Sequence, residues 1–298
     1  MLDFHPVTLK DKEWIDKRLS YRNQRSCEYS FGNIFSYKEK LDIFVCDFDN
    51  CPIVKCVSGN RVSYMYPAGS GNIDNALSEI VAEAEKSGKK CYMYGLSAED
   101  TENYERLFPY KEKPCPNRDA FDYVYNNEDL TNLTGKKYQP KRNHISFFKK
   151  NYYWTYEKIC GNNISECLSM SRKWLENYEG ENIDDLESEY RIIRCVFDNY
   201  FALGYKGGLI RKDGQVVAYT MGEELDGETF CVHFEKAFGE IRGLYPLINQ
   251  QFVQNELSDY KYINREDDVG LENLRKAKLS YHPAFLCEKY EVVISYAD

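Results

Sequence analysis

Between residues 43 and 66 three short apolar runs, Ile43–Phe48, Ile53–Val57 and Val62–Tyr66, are separated only by the turn sequences DNCP and SGNR. Runs this short with connections this tight read as an antiparallel meander. A meander must bury one face, and the next segment of chain supplies the cover. PAGSGN leads into a helix expected over Asp74–Ser87, with Asp74 at its cap and Gly88 at its stop. Leu77, Ile80, Val81 and Ala84 form its apolar stripe. A strand (Cys91–Leu96), a helix (Ala98–Leu107) and a last strand (Phe121–Tyr125) complete the unit, and a short strand and a helix over Asp11–Leu19 precede it.

After the polar, turn-rich stretch Asn126–Thr134 the same order recurs. Helices are expected at Glu166–Tyr178 and Asp185–Leu203, the second with Leu186, Tyr190, Ile193, Phe197 and Tyr200 on one face. Strands come next at Lys206–Arg211 and Gln215–Glu223, joined by a KDG hairpin turn, then at Glu228–Ala237. GEIRGLYP opens a helix to Leu257, with Pro246 suited to its first turn, and the chain closes on a strand, a helix and a strand. The repetition is one of element order and not of residues. Antiparallel strands interleaved with helices define an α+β class. The order is similar to that of the Gcn5-related N-acetyltransferases, twice in tandem, with domains expected at 1–125 and 126–298. Each is expected to be a mixed, mostly antiparallel sheet flanked by helices.

With 298 residues, 43% of them hydrophobic and 15% aromatic, the chain can bury a sizeable core. The net charge of −9 argues against a generic nucleic-acid binder, and neither side of residue 125 is basic overall, so any polyanion site must be local. The eleven cysteines show no CxxC and no zinc-type Cys/His spacing, which reads as reduced, buried thiols. No apolar h-region and no 18-residue apolar run is present, so the expectation is a soluble cytoplasmic protein without a transmembrane segment. GxSxG serine nucleophiles, Walker loops and metal boxes are absent, which disfavours serine hydrolysis, P-loop nucleotide hydrolysis and zinc chemistry, and no metal ligand is expected.

Three stretches carry a family resemblance: NREDDVGLENLRKAKLSYHP from Asn264, SFGNIFSYKEKL from Ser30, and GKKYQPKRNHISFFKK from Gly135. In them the chain resembles proteins related to the C-terminal domain of phosphatidylglycerol lysyltransferase. The resemblance implies two fused acetyltransferase-like domains. By analogy with lysyl-phosphatidylglycerol synthases and the Fem peptidoglycan ligases, it also implies aminoacyl transfer from a charged tRNA to an amine or hydroxyl acceptor. The acceptor could be a small molecule, a peptide or a lipid headgroup. No apolar span precedes the domain here, unlike in the lipid-modifying members, and this leaves the acceptor open.

Acyl transfer to an amine needs a base and donors for the tetrahedral oxyanion. Glu266, Asp267 and Asp268 stand together at a strand-to-helix join and could supply the base, Asp267 first, or bind a substrate ammonium. Equally, they could cap the following helix and offset its dipole. Asn264 and Arg265 precede them as candidate substrate-binding residues, and Arg275 and Lys278 share one face of the helix beyond, suited to the acidic turn or, with Arg265, to a phosphate or carboxylate. Tyr281 is the candidate proton donor to the leaving group, a role the acetyltransferase resemblance implies; a packing role beside Pro283 is the alternative. In GEIRGLYP, Arg242, Gly243 and Tyr245 lie where related folds hold the pyrophosphate of coenzyme A, although the loop is bulkier and Pro246 lacks an N–H. The first-domain counterpart, PAGSGN, lacks a nearby base.

Residues 136–150 carry Lys136, Lys137, Lys141, Arg142, Lys149 and Lys150 with His144 and no acid, beside Phe147, Phe148, Tyr152 and Tyr153. Charge and stacking surfaces coincide there as a tRNA acceptor end or another polyphosphate requires, with a solvated inter-domain strand as the structural alternative. His233 and Glu235, two apart on a strand, could face one side, and a buried, hydrogen-bonded histidine is the plainer reading. Three functions remain open: aminoacyl-tRNA-dependent transfer, coenzyme A thioester-dependent N-acylation, and a catalytically silent ligand-binding module.

Overall fold

In the computed structural model, which describes residues 2–22, 25–177 and 183–296, the chain builds two seven-stranded sheets. In chain order the first elements are β1 (His5–Pro6), α1 (Lys12–Leu19), α2 (Phe31–Ser36), β2 (Asp42–Phe48), β3 (Cys51–Ser58), β4 (Arg61–Met65), α3 (Ile73–Lys86), β5 (Cys91–Leu96), α4 (Ala98–Leu107) and β6 (Cys115–Pro116). Next come β7 (Asp122–Asn126), α5 (Asn127–Asn132), α6 (Gln139–Asn151), β8 (Trp154–Lys158), α7 (Ile164–Glu176), α8 (Ile183–Asp198), α9 (Tyr200–Leu203), β9 (Lys206–Lys212), β10 (Gln215–Asp226) and β11 (Thr229–Ala237). The last are α10 (Leu244–Glu256), β12 (Tyr262–Asn264), α11 (Glu272–Leu279), β13 (Phe285–Cys287) and β14 (Tyr290–Ser295).

The meander forms because its turns permit it. Phe48 pairs with Cys51 across Asp49 (φ 50°) and Asn50 (φ 60°), a two-residue hairpin with both central residues left-handed. Asp213 (φ 49°) and Gly214 (φ 82°) do the same between Lys212 and Gln215. The stripe expected on α3 is buried against the first sheet, together with Val292 and Ile294 of β14. Its cap is Asn72 and not Asp74: the Asn72 side chain accepts from the Asn75 N–H at 3.1 Å. Asp74 instead pairs with Arg106 at 2.5 Å.

The glycines of PAGSGN serve packing. A Cβ on Gly69 would lie 2.2 Å from the Asn50 carbonyl oxygen, and one on Gly71 would lie 1.6 Å from that of Asp49. The loop is pressed onto the β2–β3 turn, so it does not form an open cradle.

Strand order in the first sheet is β1-β2-β3-β4-β5-β14-β6, and in the second β13-β7-β12-β11-β10-β9-β8. The chain therefore trades strands. β7, expected to close the first unit, pairs with β12 of the second sheet, and the C-terminal β14 pairs with β5 of the first. Contacts accordingly divide the chain discontinuously. Met1–Asp122, Asp267–Arg275 and Leu286–Asp298 form one unit, and Tyr123–Glu266 with Lys276–Phe285 form the other, where sequence patterning suggests a single cut after residue 125. Local patterning marks a strand but not the sheet that adopts it, which is why the exchange is not legible in sequence.

Two further differences matter. Residues 139–151 form a helix, α6, and not a strand. Its Ile145 and Phe148 are buried against Leu244, Leu247 and Ile248 of α10, a spacing of three that only a helix brings to one side. The helix expected over Asp185–Leu203 breaks at Asn199 into α8 and α9; Tyr178, the expected end of the helix before it, lies outside the described residues.

Replacing Gly71 with Ala should lower unfolding free energy by about 1–3 kcal/mol, the usual cost of forcing an extra carbon into a packed site. Urea denaturation checks this, and an unchanged midpoint would show that the loop is not pressed onto the hairpin.

Candidate active site

Two parallel strands part company in the second sheet. β11 and β12 pair only over Thr229–Cys231 and Tyr262–Asn264. Past Asn264 the backbone still bonds to the β7 side: the Arg265 N–H donates to the Tyr123 carbonyl and the Tyr123 N–H to that of Glu266, each at 3.0 Å. On the β11 side, side chains take over. Arg265 Nη2 meets Glu235 Oε1 at 2.8 Å, and Glu266 Oε1 meets His233 Nδ1 at 2.6 Å.

A β-bulge aims His233. Met221 pairs with Phe234 and Gly222 with Val232, so His233 is the extra residue on β11. Gly222 is required there, because a Cβ would lie 1.8 Å from the Cys231 carbonyl oxygen. The re-aimed imidazole gives its other nitrogen to Glu223 Oε1 at 3.0 Å and stacks on Tyr205 with ring centroids 5.6 Å apart. Burial alone would push its pKa down, but Cys231, Tyr205 and Glu223 hold it well above the usual value. Glu266 is presented from a left-handed backbone (φ 55°), fixed by its N–H donating to Asn264 Oδ1 at 2.7 Å. For a residue with a Cβ that conformation costs about 1–2 kcal/mol, so the surrounding bonds must over-determine it.

Arg265 organises a second group. Its guanidinium lies 4.7 Å from the Tyr281 ring centroid and 5.7 Å from that of Tyr125. Glu235, which it pairs, also accepts from Asn249 Nδ2 at 3.2 Å. Two atoms are left over in this buried group: Arg265 Nη1 and Asn249 Oδ1 have no hydrogen-bond partner. An orphaned donor and an orphaned acceptor cost free energy unless something else satisfies them. Lys141, from α6, stands 3.9 Å from the Tyr281 ring centroid and donates to Ser280 Oγ at 2.7 Å. Burial first, and Arg265 second, pull its pKa down to about 8, with Glu235 opposing. Tyr281 is buried, its phenol pushed upward by that burial, with Arg265 pulling the other way and Glu235 reinforcing the rise.

The structure thus separates the three adjacent carboxylates. Glu266 belongs to His233. Asp268 is fully buried and takes a two-point contact from Arg275, with Nε and Nη2 each at 2.8 Å, while its Oδ1 accepts the Gly270 N–H at 3.0 Å. Asp267 falls in the first unit, where it joins Asp122, Cys27 and Glu28 in holding the Lys289 ammonium charged against burial. Lys278 donates to the Arg265 carbonyl, and Tyr125 donates to the Lys278 carbonyl at 2.8 Å. Lys278 therefore braces the turn that presents Arg265.

The GEIRGLYP loop is covered. A Cβ on Gly243 would lie 2.2 Å from the His144 carbonyl oxygen of α6. Arg242 stacks on Phe147, 4.6 Å from its centroid, and Tyr245 is 36% exposed. Arg142 is spent locally, donating to the Leu133 and Gly135 carbonyls behind α5. His144, Lys149 and Lys150 stay exposed, as do Lys136 and Lys137 ahead of the helix. The matching place in the first sheet is plugged. β4 and β5 pair through Met65 and Tyr94, and the Tyr29 hydroxyl reaches the Tyr66 and Gly95 carbonyls, each at 3.1 Å.

Asn249 and Glu223 are candidate-site residues that sequence reasoning misses. Glu235 has a signal in its alternation with His233; Asn249 and Glu223 have none, because helix packing and the bulge bring them in.

Comparison with known proteins accords with this architecture. A conserved protein of unknown function from Bacteroides thetaiotaomicron superposes with a TM-score of 0.91 at 34% identity, over 99% of this chain and 100% of that one. L-PGS from Bacillus licheniformis shares the fold with a TM-score of 0.66 at 14% identity, over 97% of this chain and 92% of that one. An uncharacterised protein of Mycoplasmoides gallisepticum is 26% identical over 181 residues, 58% of this chain and 56% of that protein, so the match spans little more than half its length. The two mixed sheets flanked by helices are a tandem acetyltransferase-like fold. No helix among the described residues is long and apolar enough to cross a membrane. The family of phosphatidylglycerol lysyltransferase C-terminal domains matches residues 20–293, and the chain belongs to that family.

Proposed function

We propose that the second unit transfers an aminoacyl group from aminoacyl-tRNA to an amine or hydroxyl acceptor, with the gap between β11 and β12 as the reacting site. The observation that carries this reading is the buried Arg265 guanidinium with Nη1 unpartnered, beside Glu235, Tyr281 and Lys141. A preorganised cationic donor in a desolvated gap suits the oxyanion formed when an acyl ester is attacked. Lys141 takes the proton of the attacking acceptor, and the Tyr281 hydroxyl gives one to the departing ribose oxygen. The ester C–O bond breaks as the new acyl bond forms, and no oxidant or cofactor is required. Tyr281, held protonated by burial, is suited to give a proton and not to take one.

Two features favour a charged RNA over a coenzyme A thioester as donor. The loop that would cradle the pyrophosphate is packed under the His144 carbonyl. In addition, α6 and the residues ahead of it present exposed lysines with no acid among residues 136–150. Asp267 is the first choice of base from the sequence; its contacts with the first unit favour Lys141 in that role.

A thermal-shift and filter-binding comparison of lysyl-minihelix RNA, uncharged minihelix and acetyl-coenzyme A tests the donor. The charged minihelix should bind best, and Arg265→Ala should weaken it by roughly 10-fold or more, as loss of a charge-assisted bond costs about 1.5–3 kcal/mol. Stabilisation by acetyl-coenzyme A alone would overturn the reading, and so would silence from all three probes.

The pH profile tests the base. Lys141 is an ammonium below about 8 and a neutral amine above it. Discharge of lysyl-minihelix to water should therefore rise as pH increases through about 8. Lys141→Arg, which cannot lose its charge, should abolish that rise. An unchanged profile in the variant would remove Lys141 from the mechanism.

A further inference from the structure

We propose that Cys231, His233 and Glu266 form a binding site for a divalent, zinc-type cation, with Glu223 holding the histidine from behind. The Cys231 Sγ, a ring nitrogen of His233 and a carboxylate oxygen of Glu266 all lie within 4.8 Å of one another. Sulfur, imidazole nitrogen and carboxylate oxygen together are the donor set that zinc prefers over magnesium or calcium.

The geometry is close to what such an ion needs. His233 Nδ1 stands 3.7 Å from Cys231 Sγ. A tetrahedral ion at ~2.0 Å from nitrogen and ~2.3 Å from sulfur sets those two atoms ~3.5 Å apart. Glu266 Oε1, at 2.6 Å from Nδ1, must withdraw by less than ~1 Å to become a third ligand. Three protein donors leave one tetrahedral position for water.

The surroundings are those of a built site. His233 Nε2 is 3.0 Å from Glu223 Oε1, the carboxylate–histidine arrangement that fixes the tautomer with Nδ1 turned to the metal. The His233 side chain is 2% exposed and Cys231 is fully buried, so the soft ligand is shielded from competing water. The bulge at His233 re-aims its imidazole, and the strained left-handed backbone at Glu266 presents its carboxylate to it.

This inference does not depend on the identity of the acyl donor.

The test uses Zn²⁺ and Co²⁺ on the full chain. Protein purified from zinc-supplemented medium should carry about one zinc per chain, as a three-ligand site does. After chelation, Co²⁺ should restore about one equivalent with a thiolate-to-cobalt charge-transfer band in the near ultraviolet. Cys231→Ser should abolish that band, and Glu223→Gln should weaken Co²⁺ affinity roughly 10–100-fold. The wild-type titration stands even if a variant fails to fold. Substoichiometric zinc with no cobalt band, or a band that survives Cys231→Ser, would overturn the proposal.

Discussion

The second unit is organised around the point where β11 and β12 stop sharing a ladder. Past that point the two strands share no ladder bond, and two adjacent side chains span the interval instead. Arg265 reaches Glu235 and Glu266 reaches His233, two residues apart on the facing strand. Both pairs are largely withdrawn from water, where an unmatched charge would cost several kcal/mol. Each charge therefore needs its partner, and the turn is held to β11 by mutual necessity. Much else in the unit serves this arrangement: the bulge at His233, the left-handed Glu266, the Asn264 side chain closing the turn, and Lys278 bracing the Arg265 carbonyl.

The first unit shows what happens when such a gap is not kept. Its parallel pair runs on through Met65 and Tyr94, and the Tyr29 hydroxyl covers the two carbonyls beyond. The residues PAGSGN, the first-domain counterpart of GEIRGLYP, are consumed by packing onto a hairpin turn. One element order has thus given two different interiors. In one an aromatic hydroxyl fills the gap, and in the other charged groups line it.

The fold is legible where periodicity and turn chemistry speak locally. The meander, the α3 stripe, the KDG hairpin and the helix after GEIRGLYP all come from spacing and from residues that tolerate a left-handed backbone. What is not legible needs distance: β14 seeks an edge in the first sheet some 200 residues back in the chain, and no local pattern names that edge. In the candidate site, the NREDD cluster is the part that sequence singles out. Its three acids read as one repelling group, however, and only tertiary contacts reveal that Glu266, Asp267 and Asp268 serve different cations. Lys141 stands out in sequence for its charge; its lowered pKa comes from burial against Tyr281 and Arg265, which composition cannot express.

We place the reacting group in the β11–β12 gap. Hydrogen–deuterium exchange with a minihelix RNA carrying an amide-linked, non-hydrolysable lysyl group tests this most directly. Slowed exchange is expected in residues 232–237, 264–266 and 139–151. Protection confined to the first unit around Tyr29, Tyr66 and Gly95, or no protection at all, would contradict it.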